Sequence, residues 1–404
     1  SMIRITAIIC LAETLGMAGF AAFPTLLPQF FAEWNITNTE AGWINGIYYA
    51  GYVLAVIILT SLTDRAAPRD IYLFSTAISG LSCIGFAFWA DGFWSAMAFR
   101  TLGGIGLAGT YMPGLKMLND FLSGPKKSRA VAFYTSSFGI GTSFSIVATG
   151  YMADVTDWHT TFALLTLGPI AAIILTVFMV PRIKTSDTAR TTHVLDFRPV
   201  LRCRAAMAYV VGYTIHNFEL FAYRAWTVAF LVYAVSLHEG TALPLSIITL
   251  AAIINLFGVP ASIIGNEFAL KVGRHRWIIM VMILSAMLAS LIGYTASWSL
   301  WLVIGLCCLY SATITADSAA LTAGAVEAAP PGYLGATMAM YSSIAFTGAF
   351  LGPLVFGIVL DFNSDGGAAN ASDASWGTAF VVVGIVSLMG PVLMRWIGEA
   401  KDSP

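Results

Sequence analysis

Charge is what this sequence has least of. Only 10% of its 404 residues are Asp, Glu, Lys or Arg, against about a quarter in a typical soluble domain. With 58% hydrophobic residues and a mean hydropathy of +0.80, water is excluded as the main solvent. The formal net charge of −1 carries no nucleic-acid signal, because the basic residues fall in loops rather than in a patch. No nucleic-acid partner is expected. Cysteine is scarce too: Cys10, Cys83, Cys307 and Cys308 lie inside apolar runs and Cys203 beside one. That placement suggests neither a disulfide framework nor a CxxC metal site. No nucleophile–base constellation is legible, so neither an enzyme nor a cofactor is expected. The first apolar run, about 27 residues, is too long for a signal-peptide core and lacks a small-residue cleavage site. Ser1 ahead of Met2 reads as a cloning remnant.

What the sequence has instead is long apolar runs. A helix needs about 20 apolar residues to cross about 30 Å of hydrocarbon. Twelve spans follow, at roughly 5–31, 42–62, 71–90, 94–117, 130–153, 160–180, 206–234, 242–264, 277–296, 300–323, 334–360 and 376–397. Open backbone cannot face lipid, so each span is predicted to be helical. Basic residues fill alternate gaps: Arg65 and Arg69, then Lys126, Lys127 and Arg129, then Arg182 to Arg204, then Lys271, Arg274 and Arg276. The opposite gaps hold acids such as Glu33, Glu40, Asp91, Asp154, Asp157, Glu239, Asp361, Asp365 and Asp373. By the positive-inside rule, both termini and the central loop are cytoplasmic. The basic loop 181–205 divides the spans six and six, into halves 1–180 and 206–404. The expectation is an all-α membrane protein of two pseudo-symmetric six-helix bundles, an arrangement found in many secondary transporters.

A few ionisable residues break the loop rule. Glu13, Arg100, His216, Glu219, Arg224 and Asp317 are stranded inside spans, where a charge costs from about 2.5 to about 17 kcal/mol. At about 100° per residue, His216 and Glu219 lie about 60° apart and can touch. A histidine beside a desolvated carboxylate suits proton coupling, and its plain alternative is a hydrogen bond across a helix interface. Arg100 and Arg224 offer bidentate donors for a small oxyanion. Against that stand a packing role for Arg100 and snorkelling toward the surface for Arg224. Asn217, Phe221 and Arg224 share one stripe, and Tyr213 stands near it as a candidate cavity wall. Fifteen methionines invite a copper reading, but no MxxxM or HxxxM pair falls on spans 7 or 8.

Several motifs point to one family. The loop after span 2 keeps Asp64 and Arg65, with Thr60 and Ala67 where glycines are expected, and the loop after span 8 keeps Gly273 and Arg274. Both resemble the Gly-x-x-x-Asp-Arg-x-Gly-Arg signature of the major facilitator superfamily. Arg100, Gly104 and Gly106 in span 4 are similar to its Arg-x-x-x-Gly-x-Gly element, and Gly348, Gly352, Pro353 and Gly357 to its glycine–proline packing motif. The run Ala316–Gly324 and the corner Gly265, Asn266, Glu267 resemble the bacterial cyanate- or nitrate-type permeases. Span 5 lacks the glycine–proline pair of drug/proton antiporters.

The resemblance implies the major facilitator fold, with spans 1, 4, 7 and 10 lining a central cavity. All six stranded residues fall on those four spans. The expected function is alternating-access symport of a small, anionic solute with protons, by a monomer in the inner membrane of a bacterium. Substrate-binding candidates are Arg224, Arg100, Asn217, Tyr213 and Phe221. Proton-coupling candidates are His216, Glu219, Asp317 and Glu13. Asp64, Arg65, Arg69 and Glu267 are expected to form gates at the cytoplasmic face. The alternatives are an exporter of hydrophobic or cationic compounds, a metal-ion importer, and a sensor that binds without transport.

Overall fold

The computed structural model describes residues 1–62, 65–124, 127–183, 196–364 and 371–398. Asp64, Lys126, Lys184, Arg190 and Asp365 lie outside the described residues. Among the described residues the regular elements are helices alone, and they fall into two compact units, Ser1–Leu26 with Ile47–Thr191 and Leu27–Gly46 with Thr192–Pro404. In chain order the helices are α1 (Met2–Gly16), α2 (Ala22–Thr25), α3 (Leu27–Trp34), α4 (Asn38–Leu62), α5 (Pro68–Trp89) and α6 (Phe93–Asn119). Next come α7 (Lys127–Val155), α8 (Trp158–Leu165), α9 (Leu167–Met179), α10 (Arg198–Arg202), α11 (Arg204–Ser236) and α12 (Ile247–Leu256). The last are α13 (Gly258–Val272), α14 (Arg274–Ile292), α15 (Leu300–Thr315), α16 (Ser318–Ala328), α17 (Leu334–Phe362) and α18 (Asp373–Gly398).

Ten membrane-length apolar helices are present among the described residues, counting α8–α9, α12–α13 and α15–α16 as one each. The other two predicted spans are helical but differ in kind. Span 94–117 is the continuous, glycine-rich α6. Span 5–31 is broken into α1, α2 and α3 around Pro24 and Pro28.

Each break leaves backbone groups to be satisfied, because lipid cannot serve them. Between α1 and α2 a single hydroxyl does this: Ser145 Oγ of α7 donates to the Ala18 carbonyl at 2.7 Å and accepts from the Ala21 amide at 2.9 Å. Thr166 and Phe257 interrupt the next two spans three residues ahead of Pro169 and Pro260, whose rings cannot donate to the preceding turn. The break at Ala316–Asp317 has no proline. There the indole of Trp277 donates to the freed Ala316 carbonyl at 2.8 Å.

Glycines let the helix backbones approach in both units. A Cβ at Gly104 of α6 would strike the Tyr48 carbonyl of α4. In the second unit, a Cβ at Gly348 or Gly352 of α17 would strike the Thr214 or Phe218 carbonyl of α11. The packing motif read from the sequence is thus the α11–α17 contact. Also in that unit, α4 begins with a reciprocal capping box, Thr37 N to Glu40 Oε1 at 3.0 Å and Glu40 N to Thr37 Oγ1 at 3.1 Å. Asp361 of α17 accepts from the Asn38 and Thr39 amides there at 3.2 and 2.6 Å.

Candidate functional site

A buried polar cluster of the second unit is built on α11, a 33-residue helix. His216, Asn217 and Glu219 are all at least 97% buried on it. The helix-angle argument brings His216 and Glu219 together, but in the structure each finds a different partner. His216 Nδ1 lies 2.9 Å from Oδ1 of Asp317, the residue at the α15–α16 break. Glu219 turns to a hydroxyl cage: Ser285 Oγ of α14 at 2.9 Å, Tyr310 OH of α15 at 3.1 Å and Ser387 Oγ of α18 at 3.4 Å.

Aromatic rings flank the His216–Asp317 pair. Tyr213 and Tyr341 of α17 stack with centroids 4.2 Å apart and planes 3° from parallel, and the His216 ring lies 5.5 Å from Tyr213 at 15°. The Tyr341 hydroxyl is 2.9 Å from Thr322 Oγ1 of α16. The amide of Asn217 is buried beside the Tyr213 hydroxyl. Half-buried Arg224 holds its guanidinium 5.3 Å from the centre of the Phe221 ring.

In the first unit Arg100 is 95% buried. Its NH1 donates to the Phe20 carbonyl at 3.2 Å, and its guanidinium carbon lies 4.4 Å from the Tyr48 ring centre. It borders a cavity of about 30 Å³ lined also by Gly19, Cys83, Gly103 and Thr110. That volume holds water but no organic solute, since one water needs roughly 10–15 Å³. Glu13, 99% buried on α1, stands beside the Tyr72 hydroxyl of α5.

Arg69 donates to the Val180 carbonyl at 2.9 Å and the Val177 carbonyl at 3.0 Å, closing the C-terminus of α9. Arg65 and Glu267 are exposed, and Asp64 is outside the described residues. Arg274 makes a bidentate pair with Glu327 at 2.7 and 3.1 Å, a partner that the sequence reading missed. Ser285, Ser387, Tyr310, Tyr341 and Thr322 were missed as well, because a hydroxyl in an apolar run looks unremarkable: it can bond its own helix.

The Major Facilitator Superfamily sequence profile matches residues 9–353, most of the chain. The chain belongs to the Major Facilitator Superfamily. With its ten membrane-length apolar helices among the described residues, it is a multi-pass membrane protein of that superfamily. The niacin transporter NiaP of Acinetobacter baylyi is 24% identical over 144 residues, covering 36% of this chain and 32% of that protein. The MFS-type transporter YybF of Bacillus subtilis is 24% identical over 169 residues, 40% of this chain and 41% of that one. Both matches thus span less than half of the relative's length. Among solved structures, a bacterial homologue of the human lysosomal transporter Spinster superposes with a TM-score of 0.77 at 13% identity, over 98% of this chain and 96% of that one. The nucleoside transporter NupG does so with 0.77 at 12% identity, over 98% and 99%. At such identities the likeness shows the fold alone.

Proposed function

We propose that this major facilitator protein is a proton-coupled symporter of a small anionic solute in a bacterial inner membrane, with both termini cytoplasmic. One observation carries the reading: the buried His216–Asp317 pair joins α11 to the point where the α15–α16 span breaks. A proton added to or removed from that pair changes its charge and its hydrogen bond, and so biases the joint between two helices. In the second unit Arg224 supplies a cationic donor for the solute, with Asn217, Tyr213 and Phe221 as wall residues; Arg100 is the candidate donor of the first unit. Glu13 is a second titrating carboxyl, in the first unit.

The test is uptake into proteoliposomes of a panel of small carboxylates and inorganic oxyanions under an imposed pH gradient. The expected result is accumulation of at least one anion that depends on the gradient and is lost in Asp317→Asn. Accumulation that ignores the gradient and survives both Asp317→Asn and Arg224→Gln overturns the reading.

A further inference from the structure

His238 stands between two carbonyl oxygens. It follows α11 by two residues and is half-buried. Its Nδ1 lies 2.7 Å from the Ala234 carbonyl oxygen, in the last turn of α11. Its Nε2 lies 2.6 Å from the Trp298 carbonyl oxygen, two residues ahead of α15. A carbonyl oxygen carries no proton, so the ring alone must supply the hydrogen in both contacts. Neutral imidazole has one N–H. The other nitrogen then aims its lone pair at a carbonyl lone pair, at hydrogen-bond distance. Imidazolium has two N–H groups and satisfies both carbonyls at once. Both separations are short, at or just under the about 2.7–2.9 Å of charge-assisted N–H···O bonds.

No other cation competes for these oxygens. Neither lysine nor arginine occurs between Arg224 and Lys271 or between Arg276 and Arg395, the segments that meet here. Ala234 is among the last residues of α11, whose carbonyls look beyond the helix for donors, and a helix end of this kind attracts cations. Of the titratable groups on the neighbouring segments, Glu239 is exposed, Tyr233 donates to Asp373 of α18 at 2.5 Å, and Tyr294 packs over Gly377 of α18. The ring nitrogens of His238 face the two carbonyls.

We infer that His238 is a proton-binding staple between the end of α11 and the start of α15. With a proton on each ring nitrogen it ties the two together; loss of one proton leaves a single tie. α11 carries His216, and α15 runs to the break that positions Asp317. The staple therefore sets how firmly the far ends of these two helices are joined, at a site separate from the His216–Asp317 pair. The connection after α11 is one of the acidic loops, so in the topology proposed above it faces outward and external acid fastens the staple. That orientation rests on the proposed topology; the staple itself does not.

The experiment uses the purified full-length protein in detergent at about pH 5.5 and about pH 8, within the interval where histidines change charge. The folded state holds the proton through two acceptors, so the stability it brings is present at acid pH and lost as pH rises. His238→Gln donates to one carbonyl and never carries a charge. Its thermal midpoint is expected about 2 °C below wild type at the acid pH, with the gap closed at the alkaline one. Taking the difference removes the titration of the other four histidines, common to both proteins. Hydrogen exchange read by mass spectrometry is the second measurement, and on the wild type it needs no variant to fold. After correction for intrinsic rates, wild-type amides around 234–241 and 294–300 should exchange about threefold more slowly at acid pH, a difference that His238→Gln abolishes. The inference is overturned if the midpoint gap is the same at both pH values, or if wild-type exchange in the two segments does not change with pH. Neither measurement involves transport, so failure of the symport reading leaves both results unmoved.

Discussion

His216 and Asp317 meet at 2.9 Å across 101 positions of sequence, both at least 97% buried. The two substitutions at Asp317 separate its structural from its coupling role. Asp317→Ala leaves the imidazole nitrogen buried without its acceptor, which costs on the order of 1–3 kcal/mol of stability. Asp317→Asn keeps an oxygen acceptor but cannot titrate. The expected outcome is a lower thermal midpoint for the alanine variant, with a near wild-type midpoint and lost gradient dependence for the asparagine one. Thermal unfolding and proteoliposome uptake read the two effects.

A methyl group tests the α11–α17 contact. In Gly348→Ala the new Cβ meets the Thr214 carbonyl, and backbone cannot swing aside as a long side chain does. Overpacking of this kind costs about 1–3 kcal/mol. Gly305 on α15 has nothing within 4 Å of its Cβ position. Gly305→Ala is therefore expected to be neutral or to gain up to about 1 kcal/mol. The two thermal midpoints should move apart, the first downward.

Arg100 is held by the flat face of Tyr48 and by the Phe20 carbonyl. Lysine retains the charge but neither stacks as well nor presents a planar fork. Arg100→Lys is expected to cost about 1–2 kcal/mol, the range for a desolvated cation–π contact. Chemical denaturation of the two proteins checks it.

Asp157 caps α8 by accepting from the Thr160 amide at 2.7 Å, and that backbone hydrogen bond holds its carboxyl below the usual range. The cap's contribution is complete above the ordinary aspartate value of about 3.9 and is lost as pH falls through the lower folded value. Asp157→Asn retains a capping oxygen and removes the titration. Its melting temperature is expected to fall less steeply than that of wild type between neutral pH and about pH 3.

The backbone's need for internal hydrogen bonds in lipid makes helices legible locally. All twelve predicted spans are helical among the described residues, and Gly348 and Gly352 sit at the helix contact that their spacing suggests. Proline alone does not decide where a span breaks. Pro169 and Pro260 follow breaks, yet Pro113, Pro353 and Pro391 sit inside continuous helices. A proline removes one donor wherever it stands; whether the helix parts there depends on what neighbouring helices supply.

The ionisable residues divide in the same way. Their presence inside apolar runs was readable from the sequence, because nothing else explains so costly a placement. Their partners were not. Helical angle relates only side chains on one helix, so it offered Glu219 to His216 and could not see Asp317, Ser285, Tyr310 or Ser387 arriving from other helices. The sequence by itself therefore determined the membrane solvent, the helices, the family and the short list of buried charges, all of which follow from hydropathy and local motifs. Only the tertiary structure decided which carboxylate meets the histidine and which meets the hydroxyls. The break that positions Asp317 has no proline to announce it, and it is held by an indole 39 residues away in sequence.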